Sequence, residues 1–146
     1  MRLAALFALL PVAGAAAAAA EQTFLFDTLR LPHYRASWDK LMKDVQPTPD
    51  WLMQFNKNYD GAAGEMVPIT IDGKAYQLSY VCKPTDCSGR KFEVLFDPDG
   101  AHAFGALGGK DEPPAFFGNP SPAQQDALTR AIRPVAATDA PQSKSE

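Results

Sequence analysis

The chain has 146 residues, 46% apolar and 21% charged, with 14 basic and 17 acidic side chains and a formal net charge of −3. That length supports one domain around one core. The sequence has no basic patch interleaved with aromatics, which argues against nucleic acid as a partner.

The first twenty residues read as an export signal and not as part of the fold. Met1-Arg2 gives a positive start, Leu3 to Val12 is apolar apart from Pro11, and Ala13–Ala20 supplies the small residues a signal peptidase needs. The expected cut lies near Ala20-Glu21. The apolar run is too short to cross ~30 Å of hydrocarbon, and no cysteine near the cut could carry a lipid, so no membrane anchor is expected. Removing Arg2 from the 14 basic residues leaves 13 against 17 acidic, a formal charge of −4 for the mature chain.

From Pro32 to Val45, Tyr34, Trp38, Leu41, Met42 and Val45 recur at helical spacing with Arg35, Asp39, Lys40 and Lys43 on the wet face. Pro47 and Pro49 end that helix. Trp51, Leu52, Met53 and Phe55 form an apolar cluster, expected to plug the core as one helical turn, and Asn56–Gly64 reads as a loop. Val67, Ile69 and Ile71 then alternate with polar positions up to Asp72-Gly73, and Tyr76, Leu78 and Tyr80 alternate after it. Asp-Gly between two such runs marks a two-residue hairpin. Pairing Ile71 with Lys74 sets Ile69 opposite Tyr76 and Val67 opposite Leu78, so the apolar sets share a face. Pro68 implies an edge strand.

Lys91 to Phe96 alternates as a third strand, Asp97-Pro98-Asp99-Gly100 signals a turn, and Ala101–Leu107 reads as a fourth strand. Phe116-Phe117 is expected to begin a short fifth. Ser121-Pro122-Ala123-Gln124 has the form of a capped helix start, and Ala127, Leu128, Ala131 and Ile132 give that helix its apolar face. The folded domain is expected over 21–133, with residues 134–146 a disordered tail. The expected fold class is α+β, an antiparallel meander packed on one face by amphipathic helices, with a protruding disulfide-closed loop.

Catalytic patterns are missing. The two histidines, His33 and His102, read as a helix residue and a strand residue, and no nucleophile elbow, zinc-protease motif or phosphate-binding glycine loop occurs. Cys82 and Cys87 are spaced too widely for thioredoxin chemistry and lack the histidines of a zinc site, so neither a cofactor nor a metal is expected. In an oxidising destination they are expected to pair. A ring this short contributes roughly 2 kcal/mol in the chain-entropy model, under half the value for a hundred-residue loop. Its larger effect is local: Cys82-Lys83-Pro84-Thr85-Asp86-Cys87 sits between two strands as a stiffened hairpin tip, with little entropy left to lose on binding. The bland alternative is a staple that merely finishes the hairpin.

These residues resemble the Ivy family, the inhibitors of vertebrate lysozyme in Gram-negative bacteria. The likeness lies in Ile71-Asp72-Gly73-Lys74-Ala75-Tyr76-Gln77 and in the Cys82–Cys87 loop. It extends to Trp38–Met53 with Pro49-Asp50-Trp51, and to Phe117-Gly118-Asn119-Pro120 before the last helix. The resemblance covers roughly Trp38 to Ile132. It implies a periplasmic inhibitor, not an enzyme, that pushes this loop into the active-site cleft of c-type lysozyme. The implied contact residues are Lys83, Pro84, Thr85 and Asp86. The family pattern has a histidine between the proline and the acidic residue, and Thr85 stands there instead, a shorter donor that cannot become cationic. Two other partnerships stay open: an Ivy-like module for another murein-cleaving enzyme, and a structural or chaperone-like protein. A homodimer is compatible with the sequence.

Overall fold

In the computed structural model, which describes residues 21–133, the chain runs through three helices, a six-stranded antiparallel sheet and a last helix. The expected export signal and C-terminal tail lie outside the described residues. The helices are α1 (Leu25–Thr28), α2 (Pro32–Asp44) and α3 (Asp50–Asn58), and the strands are β1 (Ala62–Ala63), β2 (Val67–Ile71), β3 (Lys74–Cys82), β4 (Lys91–Phe96), β5 (Ala103–Gly109) and β6 (Glu112–Phe117); α4 (Pro122–Ile132) closes the fold. The fold class is the expected α+β.

Helix α2 starts on Pro32, whose missing N–H and fixed φ suit a first turn. It buries Trp38, Leu41 and Met42. The apolar cluster at Trp51–Phe55 is more than one turn: α3 runs nine residues to Asn58 and ends on Tyr59 in the left-handed region, φ +60°. Leu52 and Phe55 face the core, but Met53, expected there, is 53% exposed because helical spacing turns it outward. The segment expected as a loop thus gives its first residues to α3. It also gives Ala62 and Ala63 to β1, which pairs with Cys82 and Val81.

The hairpin register is the expected one, with Ile71 opposite Lys74, Ile69 opposite Tyr76 and Val67 opposite Leu78. Asp72 and Gly73 both have positive φ, as a two-residue type I′ turn requires. Strand β2 lies at an edge, as Pro68 demands, and its outermost residue Val67 stays 48% exposed. From β3 the sheet proceeds through β4 and β5 to β6. The fifth strand of the sequence reading starts earlier than expected, so Phe116-Phe117 ends β6 instead of opening it; Pro113 and Pro114 hide the strand, and an edge position accommodates them. His102 stands in the turn before β5 and not within the strand, its ring nitrogen 2.8 Å from Asp97.

The helices divide between the two faces of the sheet, where the sequence pattern had grouped them on one. Helices α1 to α3 cover Val81, Phe92, Val94 and Phe96. Helix α4 covers the other face, where Leu128 and Ile132 meet Ile71, Tyr76, Leu95 and Ala106. Strand β4 therefore has no wet face, because Phe92, Val94 and Phe96 enter one core and Leu95 the other. The capping box at the start of α4 is complete, with Ser121 and Gln124 exchanging hydrogen bonds, and the Gln124 amide also reaches the Tyr76 hydroxyl at 3.1 Å.

Trp38 anchors the first core. Its ring meets Phe55 and Phe92 edge-on at 6.0 and 5.9 Å, and its indole N–H donates to Asn56 Oδ1 at 2.8 Å. Phe92 fills the space above Gly105, where a Cβ would approach the ring to 2.5 Å. Phe92 is fully buried and cannot swing away. Gly105→Ala should therefore lose stability by roughly 1–3 kcal/mol through overpacking, despite alanine's better strand propensity. Urea denaturation of the variant reads this out as a lowered midpoint.

Candidate functional site

Strands β3 and β4 remain paired up to the mouth of the cysteine loop. Cys82 stands opposite Lys91, and the Lys83 N–H donates to the Arg90 carbonyl at 3.0 Å. Beyond that rung the chain leaves the sheet. Cys82 and Cys87 are bonded, with Cα atoms 4.7 Å apart. Inside the ring the Asp86 N–H donates to the Lys83 carbonyl at 3.0 Å, closing a turn around Pro84 and Thr85. Proline sets φ at the first central position and Thr85 has φ +68° at the second, the combination of a type II turn. The Asp86 carbonyl in turn accepts from the Arg90 N–H at 3.0 Å. Lys83, Pro84, Thr85 and Asp86 are all exposed and occupy one tip.

Two features of this tip have no signature in the local sequence. The first is strain. The second central position of a type II turn favours Gly or Asn, and a β-branched residue in the left-handed region costs roughly 1–2 kcal/mol. Thr85 accepts that cost within the exposed tip. The second is a buttress from a distant strand. The Lys110 N–H donates to the Ser88 carbonyl at 3.1 Å, and a Cβ on Gly109 would collide with the Gly89 backbone. The Asp86 carboxylate lies over the Gly89 α-carbon and would have to swing aside for a side chain there. The missing side chain of Gly109 thus lets the end of β5 press against the loop's base at Gly89. The Arg90 guanidinium adds an exposed pair with Glu112 at 2.8 Å. Such contacts join residues about twenty positions apart, so alternation within a strand carries no trace of them.

Behind the loop lies an ion pair with little access to water. Glu93 is 2% exposed and bonds the Lys91 ammonium at 2.7 Å. That ammonium also donates to the Ala131 carbonyl at 3.1 Å, near the end of α4, and stands 4.7 Å from the centre of the Tyr80 ring. Burial pushes the Glu93 carboxyl above its ordinary pKa, and the hydrogen bond and charge of Lys91 offset this only in part. Among the described residues no three His, Cys, Asp or Glu side chains converge as metal ligands do.

Residues 33–139 match the family model described as Inhibitor of vertebrate lysozyme (Ivy). The Inhibitor of vertebrate lysozyme of Pseudomonas aeruginosa is 32% identical over 108 residues, covering 73% of this chain and 68% of that protein. An uncharacterised protein of the same species is 30% identical over 112 residues, 68% of this chain and 70% of its own length. An uncharacterised protein of Yersinia pestis is 30% identical over 95 residues, 65% of this chain and 59% of its own length.

Two outcomes follow from the geometry. The folded state holds the Glu93 proton to a higher pH than the unfolded chain does. Folding therefore binds a proton between the ordinary glutamate value, about 4.3, and the raised one. Stability should fall as pH rises through that interval and level off above it, and Glu93→Gln should remove this fall. Urea midpoints measured at a series of pH values test it. Thr85→Asn, by relieving left-handed strain, should raise the stability by about 1 kcal/mol in the same denaturation experiment.

Proposed function

Because the chain belongs to the Ivy family, a family of inhibitors and not of enzymes, we propose that it acts in the periplasm on c-type lysozyme, inserting the Cys82–Cys87 loop into the active-site cleft. The observation that carries this reading is the exposed tip Lys83–Asp86, tied by a disulfide, an internal turn and the buttress at Gly89. A glycosidase cleft holds two carboxylates flanking the scissile bond, one acid and one nucleophile or stabiliser. A pre-ordered loop that enters this space excludes the sugar, and it loses little conformational entropy in doing so. Thr85 at the crest offers its hydroxyl proton to a carboxylate. Pro84 sets the turn that aims it, Asp86 closes that turn through its backbone, and Lys83 adds a cation beside the acidic pair.

A staple that only stabilises the hairpin is the weaker account. A ring this short contributes roughly 2 kcal/mol, and a strained threonine at its crest gives back much of that. The departure at Thr85 favours a second reading, in which the same loop serves a different murein-cleaving enzyme whose cleft suits a neutral donor.

Replacing Thr85 tests the contact. A hydrogen bond to a charged group contributes roughly 1.5–3 kcal/mol against 0.5–1.5 for a neutral one. Thr85→His should tighten inhibition of c-type lysozyme about 10-fold. Histidine also tolerates the left-handed backbone better than threonine does. Carboxylates would raise the imidazole pKa, so the gain should fade as pH climbs through that raised value, a dependence the parent should lack. Inhibition constants for both proteins across this range decide the matter. A histidine variant that inhibits no better at any pH would show that the loop does not reach the carboxylates. The double variant Cys82→Ser, Cys87→Ser should stay cooperatively folded yet inhibit more weakly.

A further inference from the structure

Beside the disulfide loop the surface forms a concavity of about 490 Å³. Its apolar floor comes from Tyr80, Ile132 and Cys87, and its charged lining consists of Lys91, Lys110 and Arg133 with no carboxylate among them. This is unexpected in a chain where acidic residues outnumber basic ones by 17 to 14. Of the nearby acids, Glu93 already pairs with Lys91 of this lining and Glu112 pairs with Arg90, while the exposed Asp86 carboxylate stands over Gly89, outside the lining. Asp111 lies 4.0 Å from Lys110, with both side chains well exposed. Among the described residues Lys83 and Arg133 have no ion-pair partner.

We propose that this concavity is a second docking surface for the enzyme that receives the loop, and that it takes an acidic segment from the wall of that enzyme's cleft. The inference rests on the loop-insertion reading and extends it. Both surfaces sit at the same end of the sheet, and the hydrogen bond between Lys110 and Ser88 fixes them in one frame. Charge complementarity names the occupant: Lys91 is already neutralised by Glu93, and the two remaining cations, Lys110 and Arg133, beside an apolar floor match a carboxylate-bearing segment with an apolar neighbour. The acidic remainder of the molecule would be drawn to a cationic enzyme as a whole. The locally cationic end orients the encounter so that the loop faces the acidic cleft.

The test compares charge reversals of equal size at two ends of the full-length mature protein. The first variant carries Lys110→Glu with Arg133→Glu. The second carries Lys40→Glu with Lys74→Glu, exposed positions beside the β4–β5 turn and in the β2–β3 hairpin, away from the loop. Association rates and inhibition constants are measured against c-type lysozyme at low and high salt. The first variant should associate about 10-fold more slowly at low salt, and high salt should shrink the difference. The second should associate as fast as the parent or faster. Equal behaviour of the two variants would overturn the proposal while leaving loop insertion intact. The Cys82→Ser, Cys87→Ser variant separates the two ideas. If it and the Lys110/Arg133 variant both inhibit like the parent, or if the parent does not inhibit at all, the functional reading fails and the second surface with it.

Discussion

The antiparallel ladder between β3 and β4 is the constraint on which the rest of the molecule depends. Strand β4 is buried on both faces, so its register cannot slip. A shift of one residue would turn Phe92, Val94 and Phe96 out of one core and drive Glu93 and Leu95 into it. Six consecutive pairs, from Gln77–Phe96 to Cys82–Lys91, are held in this way. The last of them delivers Cys82 to the mouth of the loop, and the rung between Lys83 and Arg90 completes the stem. The position of the exposed tip is therefore set by packing deep in the fold. The disulfide stiffens a loop whose place is already decided.

Much of this was legible in the residues, and what was missed has physical reasons. Asp72-Gly73 between alternating strands predicted the first hairpin to the residue, because turn chemistry and strand period agree there. Ser121-Pro122-Ala123-Gln124 announced α4 for the same kind of reason. Strand β6 was hidden because Pro113 and Pro114 contradict strand propensity, and only its edge position makes them tolerable. Strand β1 is two alanines held by pairing alone, with no pattern to read. The separation of α4 from the other helices follows from Leu95 facing away from Phe92 and Val94, which alternation shows only once both faces are known to be covered. At the site, the six-residue loop was evident from its cysteines and proline. Its strain and its buttress were not: the φ of Thr85 depends on the turn adopted, and the contact of Gly89 with Gly109 joins separate hairpins.

The loop and its stem carry two costs, and among the described residues Thr85 is the one β-branched side chain at positive φ. Thr85 occupies a backbone region that disfavours it, and just behind the stem Glu93 keeps a carboxylate almost out of water against Lys91. Strain of this kind persists only where surrounding structure over-determines it, and it gathers at working surfaces. Here the surrounding structure is the ring, the turn within it, and the glycine contact from the next hairpin. Together they account for a tip that is exposed yet held in one shape, as the proposed insertion into a cleft requires.

That the tip enters a substrate cleft is the central claim, and competition tests it most directly. Binding of the protein to c-type lysozyme would be titrated calorimetrically at increasing concentrations of an N-acetylglucosamine oligosaccharide that fills the cleft. If the loop occupies the same space, the apparent dissociation constant should rise in proportion to the sugar concentration. An affinity unchanged by saturating sugar would contradict the account, because the contact would then lie outside the substrate cleft.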